Sequence, residues 1–451
     1  MNNLSQKSRG LSYYLKEFLK IKIGLAGLII LAVLLVFTGI ALTVPSNVYN
    51  SWFNPAVWSQ NPPDVPPSWL SYFSGQYFTT QQITSSNSVS YAGGQYYITE
   101  LNFSFEWSKS VIPNDVYFII SSNSSPLSMS LYWIKPDGDK IQINVPSGYY
   151  NVPFDLIPIK DSIINYISSK SGTVPEKIAT YVLVTALFDS AKTNFTAVEN
   201  GKYNVVVYMV SKSPMNTSNS KITLLGNSYG LMGTDYFGRP LDLGILLGLP
   251  NALEIGALTA VISVLIGIIV GGLSGYLGGN KDSVIQWVTL VFLALPALPF
   301  LVAVSFVSRP SIELEALLIA FLSWPFYAII ARSVALSIKS NSYVEVDKLL
   351  GIPSYRVFFT HFLPRLVPIT IAYMALGVPA GVLLEQTLAF LGIAPPGLIT
   401  WGGMLDDAYT YQAQVNGWWW WVIFPGAMIV IVAVPFVLIG FAIERLSLGE
   451  R

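Results

Sequence analysis

A chain of 451 residues that is 52% hydrophobic and only 11% charged is too apolar for soluble domains, and membrane burial accounts for the excess. Its 25 basic and 25 acidic residues cancel, which leaves no electrostatic footprint for a nucleic-acid partner. The lack of any cysteine excludes a disulfide framework, a thiolate metal site and a cysteine nucleophile.

Crossing a hydrocarbon core of about 30 Å takes roughly 20 apolar residues of helix. Residues 23–44 are uncharged, follow the basic cluster Lys7, Arg9, Lys16, Lys20 and Lys22, and stop at Pro45. The apolar region of a cleaved signal peptide is shorter, about 7 to 15 residues. The run therefore predicts an uncleaved spanning helix. Ahead of it, residues 1–22 read as a cytoplasmic segment in which Leu11, Leu15, Phe18 and Leu19 oppose Lys16 and Lys20. That amphipathic spacing predicts a helix lying along the inner interface, in contact with lipid.

Residues 45–250 change character and are rich in Ser, Asn, Tyr and Thr. Alternating runs at Tyr97–Trp107, Val116–Ser121 and Tyr203–Val210 predict strands. Between Leu131 and Val145, the turn Pro136-Asp137-Gly138-Asp139 predicts a hairpin, because its residue types suit the required φ values. Asp155–Ser169 predicts one helix. The region reads as a β-rich, sandwich-like extracellular domain at about 71–225. Four Asn-x-Ser/Thr sites, at Asn102, Asn123, Asn194 and Asn216, agree with an outside location but are expected by chance in so Ser- and Asn-rich a stretch.

Apolar runs return at 251–273, 284–307, 314–337, 367–390 and 418–443, giving six predicted spans and both termini on the cytoplasmic side. The predicted inner segments carry Lys281, Arg332, Lys339, Lys348, Arg356, Arg365, Arg445 and Arg451 besides the N-terminal cluster, whereas the outer loop 391–417 carries no basic residue. This is the charge asymmetry expected of a multi-pass protein of the cell membrane. Trp418–Trp421 falls where an outer aromatic belt belongs.

No G-x-x-x-x-G-K-[ST] occurs, so the chain does not hydrolyse ATP itself; Gly278-Gly279-Asn280-Lys281 lacks both the spacing and the hydroxyl. With His361 as the only histidine, a histidine metal site or a Ser-His-Asp triad has almost nothing to draw on. Neither a cofactor nor a metal is expected. The informative segment is the loop at about 338–366, which is long for a mere connector. It reads as a short helix, a glycine that permits a sharp turn, and a proline that ends the loop before the next span.

Here the chain resembles the permeases of binding-protein-dependent ABC importers, whose pattern is E-A-A, three residues, G, nine residues, I, any residue, L-P. Glu345, Gly351, Leu363 and Pro364 match its spacing, while Val346 and Asp347 replace the alanines and His361 the isoleucine. The histidine is similar to the H-x-L-P of the dipeptide and oligopeptide branch. Three more stretches resemble that branch. Met232 to Arg239 is similar to L-G-T-D-x-x-G-R through Gly233, Thr234, Asp235, Gly238 and Arg239, although Pro240 replaces the aspartate usual next. Glu385 to Gly392 is similar to E-x-x-L-x-F-L-G, and Trp401 to Ala408, with Trp401, Gly402 and Asp407, to W-G-x-M-L-x-D-A. These matches cover about 230–445, within a permease core at 251–445, and the ectodomain sits as an insertion.

The resemblance implies a type I importer permease with an α-helical polytopic core. It also implies a second permease subunit, two cytoplasmic ABC ATPases and an extracellular substrate-binding protein. Glu345, Asp347, Gly351, Ile352, His361, Leu363 and Pro364 would then form the coupling segment in an ATPase groove. The substrates implied are dipeptides or oligopeptides, or oligosaccharides as in archaeal members, a source that the cysteine-free, Asn/Ser/Tyr-rich ectodomain suggests. Two other readings stand beside it: a membrane-anchored surface protein whose β-domain binds carbohydrate or a partner, and an ion-driven secondary transporter.

Single residues add little. Glu385, a lone acid near the end of a span, is a candidate for the translocation path or for a structural hydrogen bond. Glu254 is placed at an interface. Gly267, Gly271 and Gly275 share a face and favour close helix packing. Asp406 and Asp407 could meet a delivery protein or simply be solvated.

Overall fold

A computed structural model describes residues 17–448 apart from 86, 94, 173–178, 194, 309, 310 and 351. The N-terminal cluster up to Lys16, the sequon at Asn194, Gly351 and the terminal Arg451 lie outside the described residues. Two compact units are present: Asn54–Asp242, and the remainder of the chain on either side of it.

The Asn54–Asp242 unit holds two antiparallel sheets. Strands β1 (Gln81–Thr84), β2 (Asn87–Gly93), β3 (Tyr96–Trp107), β4 (Val116–Ile119), β5 (Ser128–Ile134), β6 (Lys140–Val145), β7 (Gly201–Ser211) and β8 (Lys221–Leu224) form the orders β1-β8-β4 and β2-β3-β7-β5-β6. Side-chain alternation sets the register of the larger sheet. Phe103 pairs with Val205, Val205 with Trp133 and Trp133 with Ile141, so one buried residue from each of β3, β7, β5 and β6 falls in a single row. A one-residue slip would turn that row outward.

Both sheets share one core with two helices, α2 (Lys160–Ser171) and α3 (Thr180–Phe188). Helix α2 starts later than expected, after a 3-10 turn at Ile157–Ile159. Helix α3 was not expected. Its run of Val, Leu and Ala has no period that separates helix from buried strand, and tertiary packing decides it. Phe188 at its end lies against Trp107, Trp133 and Tyr203, and Trp133 Nε1–H donates to Leu187 O at 3.0 Å. The β5–β6 turn closes with Gly138 at φ +89°. Beside the turn, the buried Lys135 ammonium donates to Asp189 O at 2.6 Å and lies 5.2 and 5.5 Å from the Tyr166 and Phe195 rings.

Among the described residues of the other unit, five helices are long and apolar enough to cross a membrane, and one bent pair makes a sixth. The first is α1 (Lys22–Leu42). Helix α4 (Leu241–Leu277) begins ten residues before the expected 251, because Pro250 does not end it. Proline removes one N–H from the ladder, and a helix packed among others tolerates that loss. The run expected at 284–307 is two helices, α5 (Gly279–Leu293) and α6 (Ala297–Val307), bent by 74°. Pro296 causes the break, since the residue before a proline is disfavoured in helical geometry. Helix α7 (Ile312–Lys339) leads to the short α8 (Ser342–Leu349), followed by α9 (Leu363–Phe390), α10 (Trp401–Thr410) and α11 (Trp419–Leu448).

The glycine face of α4 is a packing surface. A Cβ on Gly267 would come within 2.7 Å of Trp324 O, one on Gly275 within 2.7 Å of Arg332 O, and one on Gly271 would overlap Ala328 O. Glu254 is exposed.

Burial pushes the Asp115 carboxyl up to about 7, against the pull of the Val116 N–H that donates to it at 2.7 Å. A carboxyl whose native pKa exceeds its unfolded value holds a proton in the folded state. Its contribution is complete below the ordinary carboxylate range and is lost as pH rises through about 7. Asp115→Asn, which keeps an oxygen acceptor, should therefore flatten this part of the pH dependence. In urea titrations of the full chain followed by near-ultraviolet dichroism, the advantage of wild type over Asp115→Asn should be greater in acid than in alkali.

Candidate functional site

The loop after α7 is built around one side chain of α8. Val344 is buried with Tyr276, Ala335, Ile338, Val357, Phe358 and Phe362. Ile352 packs on the edge of this cluster. The opposite side carries Val346, Leu350, Tyr355 and Phe359, all exposed. Glu345 lies on α8, and Gly351 lies outside the described residues. Asp347 Oδ2 is 2.6 Å from His361 Nε2.

Pro364 does not end the loop as expected. A helical turn at Ser354–Val357 runs through a π turn at Phe358–Phe362 directly into α9, of which Leu363 is the first residue. A proline ring clashes with the carbonyl four residues earlier, and the wider turn accommodates it, with Leu363 N–H donating to Phe358 O.

A second cluster gathers the motif at 233–239. Segment 61–68 lies along segment 229–238, with Asn61 Nδ2 donating to Gly238 O, Asp64 N to Asp235 O and Ser68 N to Gly230 O, each at 3.0 Å. Thr234 Oγ1 donates to Pro62 O at 2.6 Å and accepts from Val65 N at 3.2 Å. Asp235 and Arg239 close a hairpin: Oδ1 accepts from the backbone N–H of Phe237 and of Arg239, and Oδ2 lies 2.5 Å from Arg239 Nε. Both side chains are buried. Burial raises Asp235 above the ordinary carboxylate range, and the Arg239 guanidinium and two amide donors pull against that rise.

Gly238 is required twice over in this hairpin, by φ +75° and by Trp58 O, 2.9 Å from where a Cβ would stand. Gly233 also has positive φ. Pro240, the departure from the family pattern, forms a bridge with Thr234. Burial, and then the charge of Asp235, push Asp64 up to about 7.

A third set joins α9, α10 and α4. Trp401 Nε1–H donates to Ile245 O at 3.1 Å, and a Cβ on Gly248 would meet that nitrogen at 2.9 Å. Gly402 N donates to Gln386 Oε1 at 2.5 Å, and a Cβ on Gly402 would overlap Gln386 O. Gln386 Nε2 in turn donates to Glu385 Oε2. Glu385 is buried inside this chain, and its other oxygen has no hydrogen-bond partner. Burial, and then the charge of Asp407, raise Asp406 above the ordinary carboxylate range. Asp407 lies on α10 with Trp401 and Gly402. The two ends of α9 lie far apart: 22 residues at 1.5 Å each put Glu385 about 33 Å from Leu363 along the helix.

Sequence reasoning missed two features. Asp282 on α5 and Arg332 on α7 form a two-pronged pair, with both N–O distances 2.7 Å, and Ser274 Oγ donates to Asp282 at 2.5 Å. Arg332 had counted only as an inner-side charge. Glu315 on α7 is a second buried acid, both of whose oxygens lack a hydrogen-bond partner.

Removing one member of a buried pair strands the other charge. Asp235→Ala is expected to cost about 3 to 5 kcal/mol in the unit that holds it, read as a lowered urea midpoint. Asp235→Asn, which keeps the turn acceptor, should cost less.

Comparison with known proteins places this geometry. Residues 263–447 match the family described as the binding-protein-dependent transport system inner membrane component. The chain is 33% identical over 215 residues to the probable D,D-dipeptide transport system permease protein DdpC of Escherichia coli, covering 48% of this chain and 71% of that protein. It is 32% identical over 216 residues to the dipeptide transport system permease protein DppC of Haemophilus influenzae (48% and 72%). With the oligopeptide transport system permease protein OppC of the same organism it shares 30% identity over 213 residues (47% and 68%). These likenesses displace the readings as a surface anchor or an ion-driven carrier. The chain belongs to the inner-membrane permeases of binding-protein-dependent transport systems and is a multi-pass transport subunit of an ABC importer, not itself an enzyme.

Proposed function

We propose that this permease imports dipeptides or oligopeptides, and that the segment from α8 to the start of α9 is where ATPase motion enters it. The substrate class rests on the names of the similar permeases. The coupling role rests on one observation: α8 and the following turn are two-faced, with Val344 buried and Val346, Leu350, Tyr355 and Phe359 exposed. An apolar face on a short polar loop is what a helix docking into a partner groove presents.

In this reading the assembly is two permeases, two ATPases and an extracellular binding protein. Both termini of this chain are cytoplasmic, and the Asn54–Asp242 unit faces outward. Asp347 and His361 point at each other, and we assign them to the loop's internal structure. Glu385, sealed within the chain and bonded to Gln386, supports the α9–α10 junction better than a translocation path.

Phe359→Asp and Leu350→Asp should weaken co-purification with the ATPases by about 2 kcal/mol each, as expected for central interface side chains. Glu345→Ala and Gly351→Pro should also lower it. Wild-type complex yield and ATP hydrolysis in all four variants would refute the coupling role.

The β-rich module is expected to be separable from the conduction machinery, since its shared core lies almost entirely within 71–225 while the Asp235 hairpin lies outside that range. A chain in which a Gly-Ser linker replaces 71–225 should still insert and assemble with the ATPases. Loss of assembly would make the module integral to the permease.

A further inference from the structure

Two residues of the coupling segment depart from the generic importer pattern by becoming polar, and they meet. Asp347 stands at an alanine position and His361 at the isoleucine position, fourteen positions further along the sequence. Asp347 Oδ2 lies 2.6 Å from His361 Nε2, an ion-pair distance, and that buried oxygen has no hydrogen-bond partner among the described residues. Both side chains are mostly shielded, with 18% and 32% exposure. The contact sets a carboxylate oxygen against an imidazole nitrogen and is attractive when the ring carries its charge.

The pair is one of several fastenings between α8 and the base of α9. Tyr343 of α8 has its ring 5.3 Å from that of His361, and its hydroxyl accepts from Arg365 Nη1, whose guanidinium lies 4.8 Å from the same ring. Val344 between them is buried against Phe358 and Phe362 of the π turn. The two contacts differ in where they act. Tyr343–Arg365 holds the first turn of α8, and Asp347–His361 holds the last, next to the exposed Val346 and Leu350. With only the first turn held, the short helix could tilt about Val344 when pushed.

We propose that Asp347 and His361 form a latch that makes α8 and the base of α9 move as one body, so that a displacement imposed on α8 reaches the spanning helix undiminished. Two departures that would each leave a polar group against apolar neighbours become compatible because they occur together. They are positioning residues. The proposal rests on the coupling role assigned to α8.

The test uses the full chain in complex with its own ATPases, comparing hydrogen exchange of residues 342–349 and 363–370 with and without ATP plus vanadate. In wild type both segments should change protection together. In Asp347→Ala and in His361→Ile, the ATPases should still co-purify and 342–349 should still respond, while the response of 363–370 falls by about fivefold or more, within the range of pairwise couplings. The double variant D347A/H361I, which installs an apolar pair, should recover most of the response, an outcome that general damage to the fold would not give.

A full response of 363–370 in both single variants overturns the latch. So does a double variant no better than the singles, or loss of ATPase binding in the singles, which would put the pair in the docking surface. A wild-type chain in which 342–349 itself stays silent would instead remove the coupling role on which the latch stands.

Discussion

The helical unit is organised by how closely α4 can approach α7. Inside a bilayer no hydrophobic force draws helices together, so contact depends on fit and on polar groups finding partners within the protein. Gly267, Gly271 and Gly275, one turn apart, leave backbone against backbone where any side chain would collide with Trp324, Ala328 or Arg332 main-chain oxygens. Around that seam Val264, Ile268, Tyr327, Ala331 and Leu366 form a common cluster, which brings the base of α9 into the same contact. The approach also lets Arg332 reach Asp282 on α5, which follows α4 directly. A bulky residue on the seam would therefore disturb the ion pair and the foot of α9 as well as one helix contact.

Polar groups follow a different logic at each place where they are buried. Asp235 and Arg239 stand only four positions apart, so their pairing costs little chain entropy, and two backbone amides share the carboxyl oxygen. Asp282 and Arg332 join two spans and are satisfied from both sides. Asp347 and His361 are less buried and bring the short α8 against the π turn ahead of α9. Glu315 and Glu385 have no cation beside them among the described residues, and only Glu385 gains a side-chain amide donor. Ion pairs that close local or interhelical geometry thus hold the ends of the spans, while the spans themselves are held by shape.

Much of the fold was legible because a bilayer makes hydropathy nearly sufficient. Every backbone group must be satisfied within the segment that crosses, so a long uncharged run can hardly be anything but helix. Prolines blurred the boundaries. Pro250 was expected to precede a helix and lies inside one; Pro296, expected inside one, divides two; Pro364 was expected to end a loop and is absorbed by a π turn. The same residue type gave three outcomes because each depends on whether neighbouring helices satisfy or relieve the freed carbonyl. In the other unit, the alternation of β3, β5, β6 and β7 was plain, whereas α3 was not, since a continuous apolar run carries no period.

By itself the sequence determined the class of protein, the crossing segments, the β-rich insertion and the motif positions, because these depend on composition and local spacing. It showed Gly233 to Arg239, Glu385 and Trp401 as separate stretches with no stated purpose. Only the tertiary structure decided that Thr234 and Asp235 bind the chain at 62–65, that Gln386 joins Glu385 to Gly402, and that Asp347 faces His361. Such contacts link residues from one to more than 170 positions apart. Their existence depends on angles at turns and on helix separations set by packing, and no local period in a single chain encodes those.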